Sequence, residues 1–365
     1  MKLVIFGLTI SSSWGNGHAT LWRGLCNALA RRGHRVVFME RDVSYYRDTR
    51  DLFELPDGDL ILYQEWNDCL GVARRHLADA DVAMVTSYCP DGVAATNLVL
   101  DSNVPLRVFY DLDTPVTLAR LAAGEPVDYI GERGLRDFDL VLSYTGGRSL
   151  ADLRERLGAR RVAPLYGSVD PEVHKPVPPE SRFRADMGYL GTYAADRNSG
   201  LQTLLVRPAT LMPDRRFIIA GSMYGREFPW RENILFVNHL PPADHPAFYC
   251  STRLTLNVTR RAMAETGYCP SGRLFEAAAC GAVVLSDYWQ GLEQFFEPGQ
   301  EILVAENTAS AVEALDRSPE DLVRIAAAAR ERAIADHSAV VRAEQLETIL
   351  DSTRVRGTAW REQAV

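Results

Sequence analysis

No stretch of this sequence approaches the roughly 20 consecutive apolar residues that a membrane-spanning helix requires. Low-complexity tracts are missing, and so is any repeat with a period of about 20–50 residues. Positive charge is in deficit: 40 Lys and Arg stand against 48 Asp and Glu, a formal net charge of −8. Without a basic stripe to neutralise phosphates, nucleic acid is not an expected partner. A small anionic ligand remains compatible, because local amides and a few arginines decide its binding. The six cysteines (Cys26, Cys69, Cys89, Cys250, Cys269, Cys280) form no CxxC pair and no zinc-type spacing. They are expected to be reduced, small side chains in a cytoplasmic protein that holds no metal. The opening MKLVIFGL is expected to be a strand and not a leader.

What is present is the composition of a folded protein. Of the 365 residues, 47% are hydrophobic and 24% charged, enough for two domains with their own cores. In the first half, apolar runs at 3–8, 35–39, 60–63, 82–86, 106–110 and 140–143 read as buried strands. Helical periodicity falls between or after them at 19–32, 70–79, 92–100, 114–122 and 147–157. Such alternation implies parallel strands with right-handed crossovers. The pattern breaks at YGSVDPEVHKPVPP (166–179), a proline-rich stretch with the character of a linker. It then restarts, with strands expected at 188–191, 217–220, 234–237, 254–258, 283–285 and 302–304. Helices are expected at 200–211, 243–249 and 272–280. The expected fold class is therefore α/β, with two Rossmann-like, doubly wound parallel-sheet domains at 1–168 and 169–335. A helical tail at 336–365 is expected to pack back on the first domain. Ligands of such sheets bind outside the carboxyl ends of the strands, which makes the cleft between the halves the expected active site.

The densest chemical signal is SGRLFEAAACGAVVLSD (271–287). Ser271 can cap a helix that begins at Gly272 and stops at Gly281. The first-turn amides and helix dipole favour an anion such as a diphosphate, to which Arg273 can add a charge-assisted contact. Glu276, one turn further in, can accept from two ribose hydroxyls. Periodicity alone is met as well by an amphipathic core helix with a solvent-facing Glu. In YLGTYAADRNSG (189–200), Gly191 and Thr192 end a strand and Arg197 precedes the next helix; a plain loop with a solvated Arg is the alternative. Asn257 and Arg260 end the strand LTLNVTR and can meet a sugar hydroxyl and a phosphate, or equally serve their own loop.

In the first half, WGNGHAT (14–20) follows the first strand. Gly15 and Gly17, either side of Asn16, let the backbone turn sharply and approach a ligand. His18 sits at the helix N-terminus, where the dipole disfavours imidazolium and leaves a neutral imidazole suited to general-base work. A loop-capping histidine fits the same position. Asp111 and Asp113, in YDLDTP, can orient His18, bind an acceptor hydroxyl or act as base. The plainer alternative is that Asp113 or Thr114 caps a helix opened by Pro115. His239 follows the strand ILFVN, and YTGG (144–147) turns at a strand end.

These motifs resemble a known family. Ser271–Asp287 is similar to the donor-site helix of retaining-type GT-B glycosyltransferases, where a Glu, seven residues, a second Glu and then small residues and Gly recur. Glu276 matches the second Glu, which in that family holds the nucleotide ribose. The first would fall at Tyr268, and Glu265 is three residues out of register, so the stereochemical outcome stays open. PSGRLFEAAACG with GLEQFFEPGQEILVA, and YDLDTPVTL with LSYTGGRSL, resemble the spore-maturation CgeB-like glycosyltransferases. The resemblance implies a GT-B fold, donor phosphates near Gly191, Thr192 and Arg197, a nucleobase near His239, and no bound metal or cofactor. It also matches the Gly-His turn of several inverting families at His18. The function so implied is sugar transfer from a nucleoside diphosphate sugar to an acceptor. A sugar-nucleotide epimerase and a non-catalytic nucleotide-binding scaffold are the alternatives.

Overall fold

The alternation of strand and helix resolves, in the computed structural model, into two separate parallel sheets. The structure describes residues 1–362. The chain divides into a unit formed by Met1–Tyr166 with the segment from Ala339 onward, and a second unit, Gly167–Ser338.

In chain order the first unit contains β1 (Lys2–Gly7), α1 (Gly17–Arg31), β2 (Arg35–Arg41), α2 (Ser44–Arg47), β3 (Asp59–Tyr63), α3 (Trp66–Ala78) and β4 (Val82–Thr86). It continues with α4 (Gly92–Leu100), β5 (Leu106–Asp111), α5 (Thr114–Ala122), β6 (Leu140–Ser143), α6 (Arg148–Leu157) and β7 (Val162–Pro164). The sheet order is β3-β2-β1-β4-β5-β6-β7, parallel throughout. Its central strands are near-continuous apolar runs because helices cover both faces; Val4, Phe6, Val85, Phe109 and Val141 lie in one core cluster. β7 was not anticipated, since three residues ending in Pro164 carry no periodic signal. An edge strand tolerates that proline.

The second unit contains β8 (Ala185–Leu190), α7 (Asn198–Leu201), α8 (Arg207–Leu211), β9 (Phe217–Gly221), β10 (Ile234–Asn238), α9 (His245–Ser251) and β11 (Thr252–Asn257). There follow α10 (Arg261–Thr266), α11 (Gly272–Ala279), β12 (Val284–Ser286), β13 (Leu303–Val304), α12 (Thr308–Leu315) and α13 (Pro319–His337). Its sheet runs β10-β9-β8-β11-β12-β13, again all parallel. One wider π turn, Gln202–Val206, joins α7 to α8. Pro208 explains it: proline lacks an N–H and crowds the carbonyl four residues back, and a widened turn relieves both.

The last helix, α14 (Ala339–Glu362), belongs to the first unit. Arg32, just past α1, reaches Glu344 at 2.9 Å and Glu347 at 2.6 Å, and Arg354 reaches Asp81 at 3.1 Å. Both sheets reverse direction of winding once, between β1 and β4 and between β8 and β11. Those switch points are where an open α/β sheet receives ligands.

Candidate functional site

In the second unit, the carboxyl ends of β8 and β11 deliver Gly191, Thr192 and Asn257. The Gly191 amide donates to the Ala220 carbonyl at 2.8 Å, and its own carbonyl accepts from the Tyr224 hydroxyl at 3.1 Å. A Cβ on Gly191 would lie 2.6 Å from Arg273 Nη2; one on Gly221, where φ is 156°, would lie 2.1 Å from the Gly191 oxygen. Two loops approach here more closely than any side chain allows. Thr192 Oγ1 lies 3.3 Å from Ser222 Oγ. Arg197 ends a short turn before α7, and its buried Nε has no hydrogen-bond partner among the described residues. His239 follows β10 at φ 52°, its amide donating to the Gly221 carbonyl at 3.1 Å.

Ser271 caps α11 by accepting from the Arg273 amide at 3.4 Å, so the helix opens at Gly272 as its sequence predicts. The arginine itself is a surprise. Arg273 is 8% exposed; Nε donates to the Leu190 carbonyl at 2.5 Å and Nη1 to Asn257 Oδ1 at 2.7 Å, while the guanidinium lies 4.7 Å over the Tyr189 ring. Nη2 lies against Gly191 and has no hydrogen-bond partner among the described residues. Asn257 follows the second of the two readings open to it. It is fully buried, Oδ1 accepts from Arg273 and Nδ2 donates to Ser286 Oγ at 2.9 Å, so the side chain serves the loops around it. Arg260 Nε pairs with Asp196 at 2.9 Å instead of standing alone for phosphate.

Glu276 does not face bulk water. It is half-buried, and Oε2 accepts from the Tyr249 hydroxyl at 3.1 Å. Oε1 lies 3.9 Å from where a Gly272 Cβ would stand, on the side toward the helix opening. Two histidines that sequence reasoning passed over flank it: His174, His245 and Glu276 each bring one polar atom to within 4.8 Å of the others. Burial pushes His245 down to about 4 and lowers His174, so both imidazoles are neutral near pH 7. Burial works against the Glu276 charge, but in acid the histidines as they gain charge, with the Tyr249 hydroxyl bond and Arg273, outweigh it and hold the carboxyl below the usual range. No spacing in the sequence links positions 174, 245 and 276. The one available signal was a histidine between prolines in PEVHKP, and it is weak.

In the first unit, Asn16 is the N-cap of α1, its side chain accepting from the His18 amide at 3.1 Å. Gly15 takes φ 60°, as a tight turn demands, whereas a Cβ on Gly17 would meet nothing within 4 Å. The loop is anchored from below by the fully buried Glu40, which accepts from Thr9 Oγ1 at 2.7 Å and from the Ile10 and Ser11 amides at 2.9 and 3.0 Å. His18 Nε2 stands 3.8 Å from Asp113 Oδ2, the same oxygen that accepts from the Tyr88 hydroxyl at 2.9 Å. The His18 and Tyr88 rings stack at 6.0 Å, and Tyr88 holds a positive φ of 63°.

This arrangement separates the two aspartates. Asp113 sits at the N-cap position of α5 but makes no side-chain cap bond, which frees it for His18. Thr114 Oγ1 is engaged with Ser143 Oγ at 2.7 Å. Asp111 has no exposure; Oδ1 accepts from the Asp113 amide and Thr117 Oγ1, both at 3.1 Å, and Oδ2 has no partner among the described residues. Burial raises its carboxyl to about 7. Among the described residues it bonds within its own loop and not to His18.

Two parallel sheets wound in the same sense, each with loops and a helix N-terminus gathered at its switch point, define a double-Rossmann fold. Residues 197–348 match the family model described as Glycosyl transferase-like. Sucrose-phosphate synthase from Thermosynechococcus elongatus is similar in structure, with a TM-score of 0.68 and 15% identity over 96% of this chain and 99% of that one. HepE of Anabaena, solved with UDP-glucose, gives 0.68 and 14% over 96% and 100%. An alpha-glucosyltransferase in complex with UDP gives 0.70 and 13% over 96% and 100%. No protein of curated function matches the sequence. The protein therefore has the GT-B glycosyltransferase fold, with glycosyl transferase-like sequence over 197–348.

Proposed function

We propose that this protein transfers a glycosyl group from a nucleoside diphosphate sugar to an acceptor nucleophile. The reading includes a CgeB-like membership, a cytoplasmic setting and transfer without a resident metal. One observation carries it: Glu276 lies one turn inside the Ser271-capped opening of α11, held by Tyr249 with an oxygen toward that opening. A diphosphate would rest against the opening, with Arg273 Nη2 and Arg197 beside it, and the ribose would reach Glu276. As the glycosyl bond breaks, negative charge grows on the leaving diphosphate, where these fixed donors stabilise it. His18 would take the acceptor proton, and Asp113 would stabilise the imidazolium so formed. The absence of a Glu at Tyr268 supports an inverting outcome.

The test is incubation with labelled UDP-glucose, ADP-glucose and GDP-mannose, with and without EDTA. Nucleoside diphosphate release, unchanged by EDTA and lost in Glu276→Ala with the fold intact, is the expected result. Interconverted sugar nucleotide would make the protein an epimerase, and binding without turnover a scaffold. Either outcome ends the transfer reading.

A further inference from the structure

The turn that follows β4 carries a tyrosine where its backbone favours a smaller residue. Tyr88 holds φ 63°, a left-handed conformation that glycine or asparagine adopts at less cost. The turn's own bonds run from the Ser87 amide to the Tyr110 carbonyl at 3.0 Å and from the Cys89 amide to the Thr86 carbonyl at 3.3 Å. They use backbone alone and ask for no aromatic ring. Strain of this kind persists only where the surroundings over-determine it, and it clusters at functional sites. Here the contacts of the side chain do so.

The Tyr88 hydroxyl makes the one hydrogen bond that the Asp113 side chain receives among the described residues, donating to Oδ2 at 2.9 Å. Its ring stacks on His18 with 29° between planes and packs on Tyr129 with centroids 5.3 Å apart. The Tyr129 hydroxyl lies 2.8 Å from Thr117 Oγ1, which donates to the same Asp111 oxygen that accepts from the Asp113 amide. One connected set of groups therefore holds Asp113 by backbone and side chain together. Burial, with the Asp113 charge beside it, raises the Tyr88 hydroxyl far above its ordinary range, so it remains a donor at neutral pH. His18 cannot replace it, because Nε2 stands 3.8 Å from Oδ2, longer than a hydrogen bond. The His18 and Asp113 side chains are 24% and 12% exposed, so an untethered carboxylate would turn to water.

We propose that Tyr88 is a positioning residue for removal of the acceptor proton, its hydroxyl fixing Asp113 Oδ2 beside His18 and its ring fixing the plane of the imidazole. The inference rests on the transfer reading and adds a third member to the His18–Asp113 pair. When His18 takes the acceptor proton, the imidazolium so formed needs its counter-charge already in place. A carboxylate that must first turn back from water gives up part of that stabilisation. In this role Tyr88 moves no proton itself and acts through Asp113.

The experiment is a double-mutant cycle on the full-length protein, following nucleoside diphosphate release from UDP-glucose, ADP-glucose and GDP-mannose, with Tm measured for every variant. Tyr88→Phe keeps the ring and removes only the hydroxyl; it should lower kcat about tenfold with donor KM within about twofold. Asp113→Ala should lower kcat at least as far. Adding Tyr88→Phe to it should cost less than about twofold more, because the hydroxyl then has no carboxylate to fix. Tyr88→Leu, without the ring, should be slower than Tyr88→Phe. Losses that multiply in the double variant, a Tyr88→Phe protein as fast as wild type, or a rise in KM that matches the fall in kcat overturns this proposal and leaves the transfer reading standing. A Tyr88→Phe protein that no longer folds also overturns it, by making the residue structural. No release from any of these donors by the wild type overturns both.

Discussion

Arg273 Nη1 donates to Asn257 Oδ1 at 2.7 Å, joining the first turn of α11 to the end of the central strand β11. Both side chains are buried, and the same guanidinium also binds the Leu190 carbonyl at the end of β8. Arg273 therefore ties together the two strands that flank the switch point. Arg273→Ala would leave the Asn257 oxygen and a buried carbonyl unsatisfied, at a cost of about 3 kcal/mol. The expected signature in differential scanning calorimetry is a fall in Tm of roughly 10 °C. A Tm within 2 °C of wild type would show that Arg273 is not structural.

Gly221 is constrained by the same close approach. A methyl group there would lie 2.1 Å from the Gly191 oxygen, at a φ of 156° that side chains rarely adopt. Gly221→Ala is expected to destabilise by more than about 1 kcal/mol and to displace the Gly191 loop. Urea unfolding measures the first effect, and UDP affinity, which should fall, reports the second.

The 3.8 Å approach of His18 to Asp113 makes a separable kinetic prediction. His18→Ala should lower kcat by about a hundredfold or more with donor KM little changed, the mark of a group that moves a proton. Asp113→Asn keeps an acceptor for Tyr88 but loses the charge, and should cost about tenfold in kcat. Equal losses in KM and kcat for His18→Ala would instead place it in donor binding.

Asp111 makes stability depend on pH. Its carboxyl, ordinarily near 3.8, is raised to about 7 by burial. Between those values the folded state holds a proton that the unfolded state has released, so stability falls as pH rises through this window and levels off above it. The shift corresponds to about 4 kcal/mol as an order of magnitude. Asp111→Asn, which cannot ionise, should flatten the profile and unfold at higher temperature than wild type at pH 8. Thermal melts at pH 5 and 8 decide it; a wild-type Tm unchanged between them contradicts the assignment.

Much of the fold was written locally in this chain. Both parallel sheets could be read from apolar runs that alternate with helical periods, because strands covered on two faces must be continuously hydrophobic. The Ser271 cap and the Gly15 turn could be read for the same reason, since cap and turn chemistry act within a few residues. Three-dimensional packing alone decided the partners. Asp113 rather than Asp111 reaches His18, and Arg273 and Asn257 spend themselves on each other. His174 and His245 meet Glu276 across about a hundred residues of chain. Side-chain direction and long-range contact depend on how elements stack, and no spacing along a sequence encodes that.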